Sequence, residues 1–285
     1  MATVLNLFRR ADGIQPTGVH AYFDKVTVWL KRPVNDSERT WLEGQCGSGG
    51  LHVQEGPAHF NPALVQRLQL RQPTREALEW LAKRNDVHLN LVEWGLDWVF
   101  NNEGDRDEAW AFLCRYHVKS HHRQQGVRFV AGNTRYTGPR RAPQVFVCYR
   151  DLPCRVTGEL YCVHLEWRIK GAQTLRRLDL DSIDRVLRKG HRGFWLNQLT
   201  FYELVHDDLG RRYHNWALRH RQHRPIYRPC IAEWPNGFRY YLDRRAGGTL
   251  ARALGSTQAV VDEYGSRFNI RRSLFSIDIG RLLPE

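Results

Sequence analysis

The chain has 285 residues and a mass of 33.5 kDa, with 42% hydrophobic and 26% charged residues. That balance is ordinary for a folded soluble chain, and the length suits one large domain or two smaller ones. Twenty-three glycines beside 10 Trp, 11 Tyr and 12 Phe exclude collagen-like, coiled-coil and disordered classes. No apolar run approaches the ~18 residues that a membrane helix needs. The opening MATVLNLFRRADG lacks the basic-then-apolar order of a signal peptide, so a cytoplasmic chain with no membrane partner is expected.

Charge is more informative. Lys and Arg number 43 against 30 Asp and Glu, a net charge of +13. The first 100 residues hold 11 basic and 11 acidic side chains, so the whole excess lies beyond them. A one-sided basic surplus is the electrostatic footprint of a nucleic-acid binder. Only six of the 43 are Lys, and arginine suits bidentate contact with phosphate and guanine. The six cysteines form no C-x-x-C pair, which argues against a zinc ribbon. Cys162 and His164 stand two apart near Cys148 and Cys154; a metal site there is conceivable, although buried apolar packing is the commoner fate of such cysteines.

In chain order, residues 17–31 alternate apolar and polar types and read as a strand. A short helix runs from a cap at Asp36 or Ser37 through Leu42. The Gly/Pro-rich stretch 44–62 reads as a loop. Helices are expected over 63–71 and 74–84, a second long strand over 87–100, and an amphipathic helix over 105–118 with acids in its first turn. Strands follow at 127–137, 143–151 and 155–170, then helices at 180–189, 193–206 and 210–222. A short helix at 256–264 has Ser256 as its N-cap. The expected fold is α+β: an antiparallel-rich sheet core with packed helices over residues 1–175, and a basic, mainly helical extension over 176–285.

Strand parity sorts the side chains. Val92, Trp94, Leu96, Trp98 and Phe100 share one face, and Glu93 and Asp97 the other. Likewise Tyr161, Val163, Leu165, Trp167 and Ile169 face one way, with Cys162, His164, Glu166, Arg168 and Lys170 opposite. If these strands are neighbours, Glu93, Asp97 and Glu166 converge. Such carboxylates suit Mg²⁺ or Mn²⁺, which can polarise a phosphodiester, with His164 placed to move a proton. The same alternation is also the ordinary pattern of a sheet with one solvated face. Arg135, Arg140 and Arg141, interleaved with Tyr136 and Tyr149, suit a strand of nucleic acid. The span 211–224, with Arg211, Arg212, Arg219, Arg221 and Arg224, suits the DNA backbone.

The middle of the chain resembles the replication initiation factor family, the trans-acting rolling-circle initiators of plasmids, filamentous phages and integrative elements. The likeness lies in Glu93-x-x-x-Asp97, then GNTRYTGPRRAP (132–143), VFVCYRD (145–151) and HLEWRIKG (164–171), with FDKVTV (23–28) as an opening strand. It covers about residues 20–175. The resemblance implies metal-dependent nicking at a replication origin, with a tyrosine attacking the phosphodiester. It places Asp97 and Glu166 at an acidic Mg²⁺ or Mn²⁺ site, with Glu93 where an Asp is usual. Asn133 stands where an acid is often found, and His164 replaces a usual Arg. The family's tyrosine next to the last Glu is Leu165 here, so another must serve; Tyr149 beside Arg150 is the first choice, with Tyr136 and Tyr161 behind it. Arg150, Arg168 and Lys170 join the expected DNA contacts. DNA is the expected partner, with a host helicase and a second copy of the chain as further ones. The departure at Leu165 keeps open a second reading, a non-catalytic origin-binding or regulatory protein.

Overall fold

The computed structural model describes residues 14–119, 127–131, 133–137, 141–204, 260–261, 267–268, 274–276 and 279–284. The expected Arg-rich helix at 211–224, Arg140 and Cys230 lie outside them.

The fold is α+β, as expected, and its centre is an eight-stranded sheet in the order β2-β3-β1-β4-β9-β8-β7-β6. All its pairings are antiparallel. The strands are β1 (Gly18–Leu30), β2 (Leu51–Glu55), β3 (Gln66–Arg71), β4 (Val87–Val99), β6 (Val127–Val130), β7 (Thr134–Thr137), β8 (Gln144–Tyr149) and β9 (Cys162–Lys170). The helices are α1 (Asp36–Gly44), α2 (Arg75–Lys83), α3 (Glu103–Tyr116), α4 (Ala172–Arg177), α5 (Ile183–Lys189) and α6 (His191–Gln198). A smaller sheet joins β5 (His117–Lys119), β10 (Leu199–Leu204) and β13 (Leu274–Ser276); β11 (Val260–Val261) and β12 (Arg267–Phe268) pair separately.

Local chemistry explains most boundaries. Asn35 caps α1 in a reciprocal box with Glu38, one residue before the expected cap. Thr74 caps α2, and Asn102 caps α3 ahead of Glu103 and Asp105. Five expectations need correction. Residues 66–71 form a strand rather than a helix, because Leu68 and Leu70 alternate with Arg67, Gln69 and Arg71 and only the leucines are fully buried. The loop 44–62 contains β2, which pairs with that strand. The strand expected over 127–137 is a hairpin, turning at 131–133. The helix expected over 193–206 ends at Gln198 and continues as β10, and Val260–Val261 are strand; over the described residues of 176–285, the end of α4 with α5 and α6 keeps helix ahead of strand.

One face of the sheet makes the main core. Trp94, Trp98, Trp167 and Trp195 are fully buried, and Trp94 stacks on Phe194 of α6 with centroids 4.1 Å apart. Burial of such rings supplies about 2–3 kcal/mol each. Leu175, Val186, Phe194, Phe201 and Leu282 belong to the same core as the strands. The Trp98 indole N–H donates to the Leu282 carbonyl at 2.8 Å. Among the described residues no helix is long and apolar enough to cross a membrane.

The opposite face is where the acids lie. At its centre Gly95 faces Tyr22 across the β1–β4 pair and Glu166 across the β4–β9 pair. A Cβ at Gly95 would stand 2.5 Å from the Tyr22 ring; the glycine is what lets that ring lie flat across the strand. Gly95→Ala is expected to destabilise the fold by about 1–3 kcal/mol, as overpacking of a dense site does. Urea unfolding measures it; an unchanged midpoint would mean the ring moves aside freely.

Candidate active site

Strands β4 and β9 are direct neighbours, with Glu93 opposite Arg168, Gly95 opposite Glu166 and Asp97 opposite His164. The parity reading is therefore correct about the faces. The polar face is not solvated, however. Glu93 is 3% exposed, Glu166 2%, and Asp97 and His164 are fully buried. The segment 150–161 between β8 and β9 supplies contacts to this face: the Arg155 N–H donates to Asp97 Oδ2 at 2.9 Å, and the Arg155 guanidinium to the Tyr149 hydroxyl at 3.2 Å.

The acids separate into two groups. Asp24, Glu93 and Glu166 bring carboxylate oxygens within 4.8 Å of one another, and Asp97 instead groups with Cys162 and His164. The expected metal trio of Glu93, Asp97 and Glu166 is thus corrected at one position. Asp97 meets different partners: Oδ1 accepts from the Tyr22 hydroxyl at 3.0 Å and lies 2.9 Å from His164 Nδ1, while Oδ2 takes the Arg155 N–H. Asp24 takes its place. It sits at a β-bulge where the register shifts between Phe23 and Lys25. The bulge sets both Asp24 and Lys25 toward the polar face. The sequence held a signal for it. The buried apolar positions change phase along the strand, from Phe23 to Val26, Val28 and Leu30.

Cations surround the trio. Lys25 Nζ lies 2.9 Å from Glu93, and Arg168 lies 2.6 Å from Glu166 and 3.7 Å from Glu93. The Asp24 carboxylate has no hydrogen bond or ion pair among the described residues, and the residue is 5% exposed. Burial, then the Glu166 and Glu93 charges, push its carboxyl up to about 6, with Arg155 and Lys25 opposing. Three hard oxygen donors in that state fit a small divalent cation such as Mg²⁺ or Mn²⁺.

Tyr149, opposite His164 on β8, donates its hydroxyl to Glu166 Oε1 at 2.5 Å. Its ring stacks on His164 with centroids 4.6 Å apart. Burial and the Glu166 carboxylate hold the phenol protonated well above tyrosine's usual range, with Arg155 pulling the other way. His164 itself is fixed: Nε2 lies 2.8 Å from the Leu152 carbonyl oxygen, and Nδ1 faces Asp97. Its ring nitrogens face Asp97 and Leu152 rather than the trio, and the carboxylate bonded to the Tyr149 hydroxyl is Glu166. Leu165 points into the core opposite Leu96 and Cys148. Tyr161 packs on the core side, and Tyr136 lies against Val145, Val147 and Tyr149.

The arginines expected on DNA meet different fates. Arg135 is buried and donates to the Leu113 and His117 carbonyls at the end of α3, a helix-capping contact rather than a DNA contact. Arg150 is ion-paired with Asp107 at 2.7 Å, and Arg168 with the trio. Arg141 is exposed and Lys170 half-buried. Arg155, beside the tyrosine, was not singled out by sequence.

No family model matches the chain, and no curated protein matches it. Among solved structures the chain is similar to one described as the rolling circle replication initiator protein from Geobacillus stearothermophilus. The identity is 12%, over 65% of this chain and 88% of that one, with a TM-score of 0.37. A likeness of that depth bears on neither fold nor chemistry.

Charge crowding at Asp24 has a sign. A carboxyl raised on folding contributes stability that is whole below about 4 and lost as pH rises through about 6. Asp24→Asn is expected to leave metal-free stability nearly unchanged near pH 4 and to raise it by about 1–3 kcal/mol at pH 8. Denaturant titrations at the two pH values check this; equal effects at both would refute the crowding.

Proposed function

We propose that the protein is a DNA-nicking replication initiator of the rolling-circle type, acting through Tyr149 on the polar face of the sheet. The observation that carries this reading is the Tyr149 hydroxyl, held between Glu166 and Arg155 beside the Asp24–Glu93–Glu166 group. A tyrosine, an adjacent base, a guanidinium and a hard-cation site are the parts that phosphodiester transfer to a side chain requires. The sequence resemblance to the replication initiation factor family and the basic surplus beyond residue 100 point the same way.

In this reading Glu166 takes the phenolic proton as the Tyr149 oxygen attacks phosphorus. The new O–P bond forms on the tyrosine while the bond from phosphorus to the 3′ oxygen breaks. The strand is left with a 5′-phosphotyrosyl link and a free 3′ hydroxyl once the departing oxygen is protonated. Arg155 lies where charge develops on the non-bridging oxygens. Asp24, Glu93 and Glu166 would hold Mg²⁺ or Mn²⁺, which supplies Lewis-acid polarisation of the phosphate when bound. Asp97 acts through position: it fixes the Arg155 backbone, the Tyr22 hydroxyl and the His164 ring. Arg141 and the Arg-rich span 211–224 would hold the DNA, whether single- or double-stranded, by phosphate contacts.

A second reading is a non-catalytic origin-binding regulator on the same scaffold. It is favoured by the burial of Tyr149 and by the ion pairs from Lys25 and Arg168 that occupy Glu93 and Glu166 without a metal. One experiment separates the two. Supercoiled plasmid carrying this chain's coding region and its flanks is incubated with the protein and Mn²⁺, and denatured products are resolved on a gel. A nicked circle carrying covalently bound protein is expected. Tyr149→Phe should lose the adduct by at least about 100-fold while keeping the mobility shift, since the nucleophile is removed and the surface is not. An adduct that survives Tyr149→Phe removes this tyrosine. A mobility shift with no nick in the wild type supports the regulator.

A further inference from the structure

A second metal-ligand set stands beside the first and has different chemistry. Cys162 and His164 project from β9 and Asp97 from β4, with ligand atoms within 4.8 Å of one another. Cys154, on the segment 150–161, lies within hydrogen-bonding reach of the Cys162 thiol and packs with it and Val99. All four residues are buried, none more than 3% exposed. Cys154 and Cys162 are free thiols. One sulfur, one imidazole and one carboxylate meet there, with the Cys154 sulfur beside Cys162 as a further donor, a mixture that suits a borderline-soft ion such as Zn²⁺ and suits Mg²⁺ poorly.

The histidine supplies an independent pointer. His164 Nε2 lies 2.8 Å from the Leu152 carbonyl oxygen, the outer partner that fixes the tautomer of a metal-ligating ring. With its proton on Nε2, a neutral ring directs the Nδ1 lone pair at Asp97 Oδ1, 2.9 Å away, and toward Cys162 Sγ at 4.0 Å. A lone pair facing a carboxylate oxygen at that distance is repulsive unless a cation lies between them. Either a second ring proton or a metal ion supplies it. The metal also accounts for the Cys162 thiol at the same point and for the Cys154 thiol beside it.

We propose that Cys154, Cys162, His164 and Asp97 bind one zinc-class ion that fastens the segment 150–161 to the sheet. Binding displaces both thiol protons and leaves the sulfurs as thiolates, with no change of oxidation state. Its consequence is positional. Arg155 follows Cys154 directly, so the staple fixes the guanidinium next to Tyr149. The site stands on its four ligands and does not depend on DNA cleavage.

The full chain is purified from zinc-supplemented cells, dialysed against a weak chelator and analysed for metal. One equivalent of zinc per chain is expected, and Co²⁺ exchanged into it should give intense thiolate-to-metal absorption. Cys162→Ser should lose the metal, whereas Asp24→Asn should keep it. Wild-type protein with no zinc and no thiolate absorption on adding Co²⁺ would overturn the proposal. So would metal lost in Asp24→Asn but retained in Cys162→Ser. Because the serine variant can misfold, alkylation of the wild type gives a second readout: Cys154 and Cys162 should react only after strong chelation, and Cys46 and Cys114 equally before and after. Equal labelling of Cys154 and Cys162 with and without chelator also counts against it. Loss of zinc with DNA nicking intact would leave the nicking reading standing and remove the positional role for Arg155.

Discussion

Three carboxylates confined to one nearly dry face repel each other, and the middle of the sheet is arranged around that repulsion. Lys25 and Arg168 answer Glu93 and Glu166 directly. Asp24 is left without such a partner and holds its proton more tightly instead. Buried charge without compensation is among the most costly features a fold can carry. Its retention beside a tyrosine and an exposed arginine is why this face reads as a place for chemistry rather than for packing. The strain is local, and the opposite face is a dense aromatic core able to sustain it.

Period-two alternation in residues 87–100 and 160–170 was enough to assign both faces of β4 and β9. Every large apolar residue named from that pattern is buried, except that Tyr161 is only partly so. Parity says nothing about which strands adjoin, because pairing is decided by contacts across the chain. Asp97 and Glu93 therefore looked equivalent in sequence. Four residues apart on one strand, they meet different neighbours, His164 and Tyr22 in one case and Lys25 and Arg168 in the other. Asp24 escaped because a bulge breaks the counting rule on which parity depends.

Elsewhere the errors share a cause. Residues 66–71 and 199–204 hold few β-branched residues, and local pattern gave them to helix. Pairing with β1 and β2 in one case, and with β5 and β13 in the other, makes them strands. Tertiary hydrogen bonding outweighs weak propensity in short segments. Arg135 shows the same limit for side chains. Its sequence neighbours are basic and aromatic, yet its strand turns it inward to the end of α3. Composition identifies how many arginines there are, while register decides which of them can meet a phosphate.

The bond from the Trp98 indole to the Leu282 carbonyl joins positions 184 residues apart. A chain made from its N-terminus can zip β1 onto β4 early, yet Trp98 must wait for almost two hundred further residues before its polar edge is satisfied. Native contacts so distant in sequence slow folding. Until the C-terminal residues arrive, the half-formed layer leaves indole surface open, the kind of exposure that makes folding intermediates prone to association.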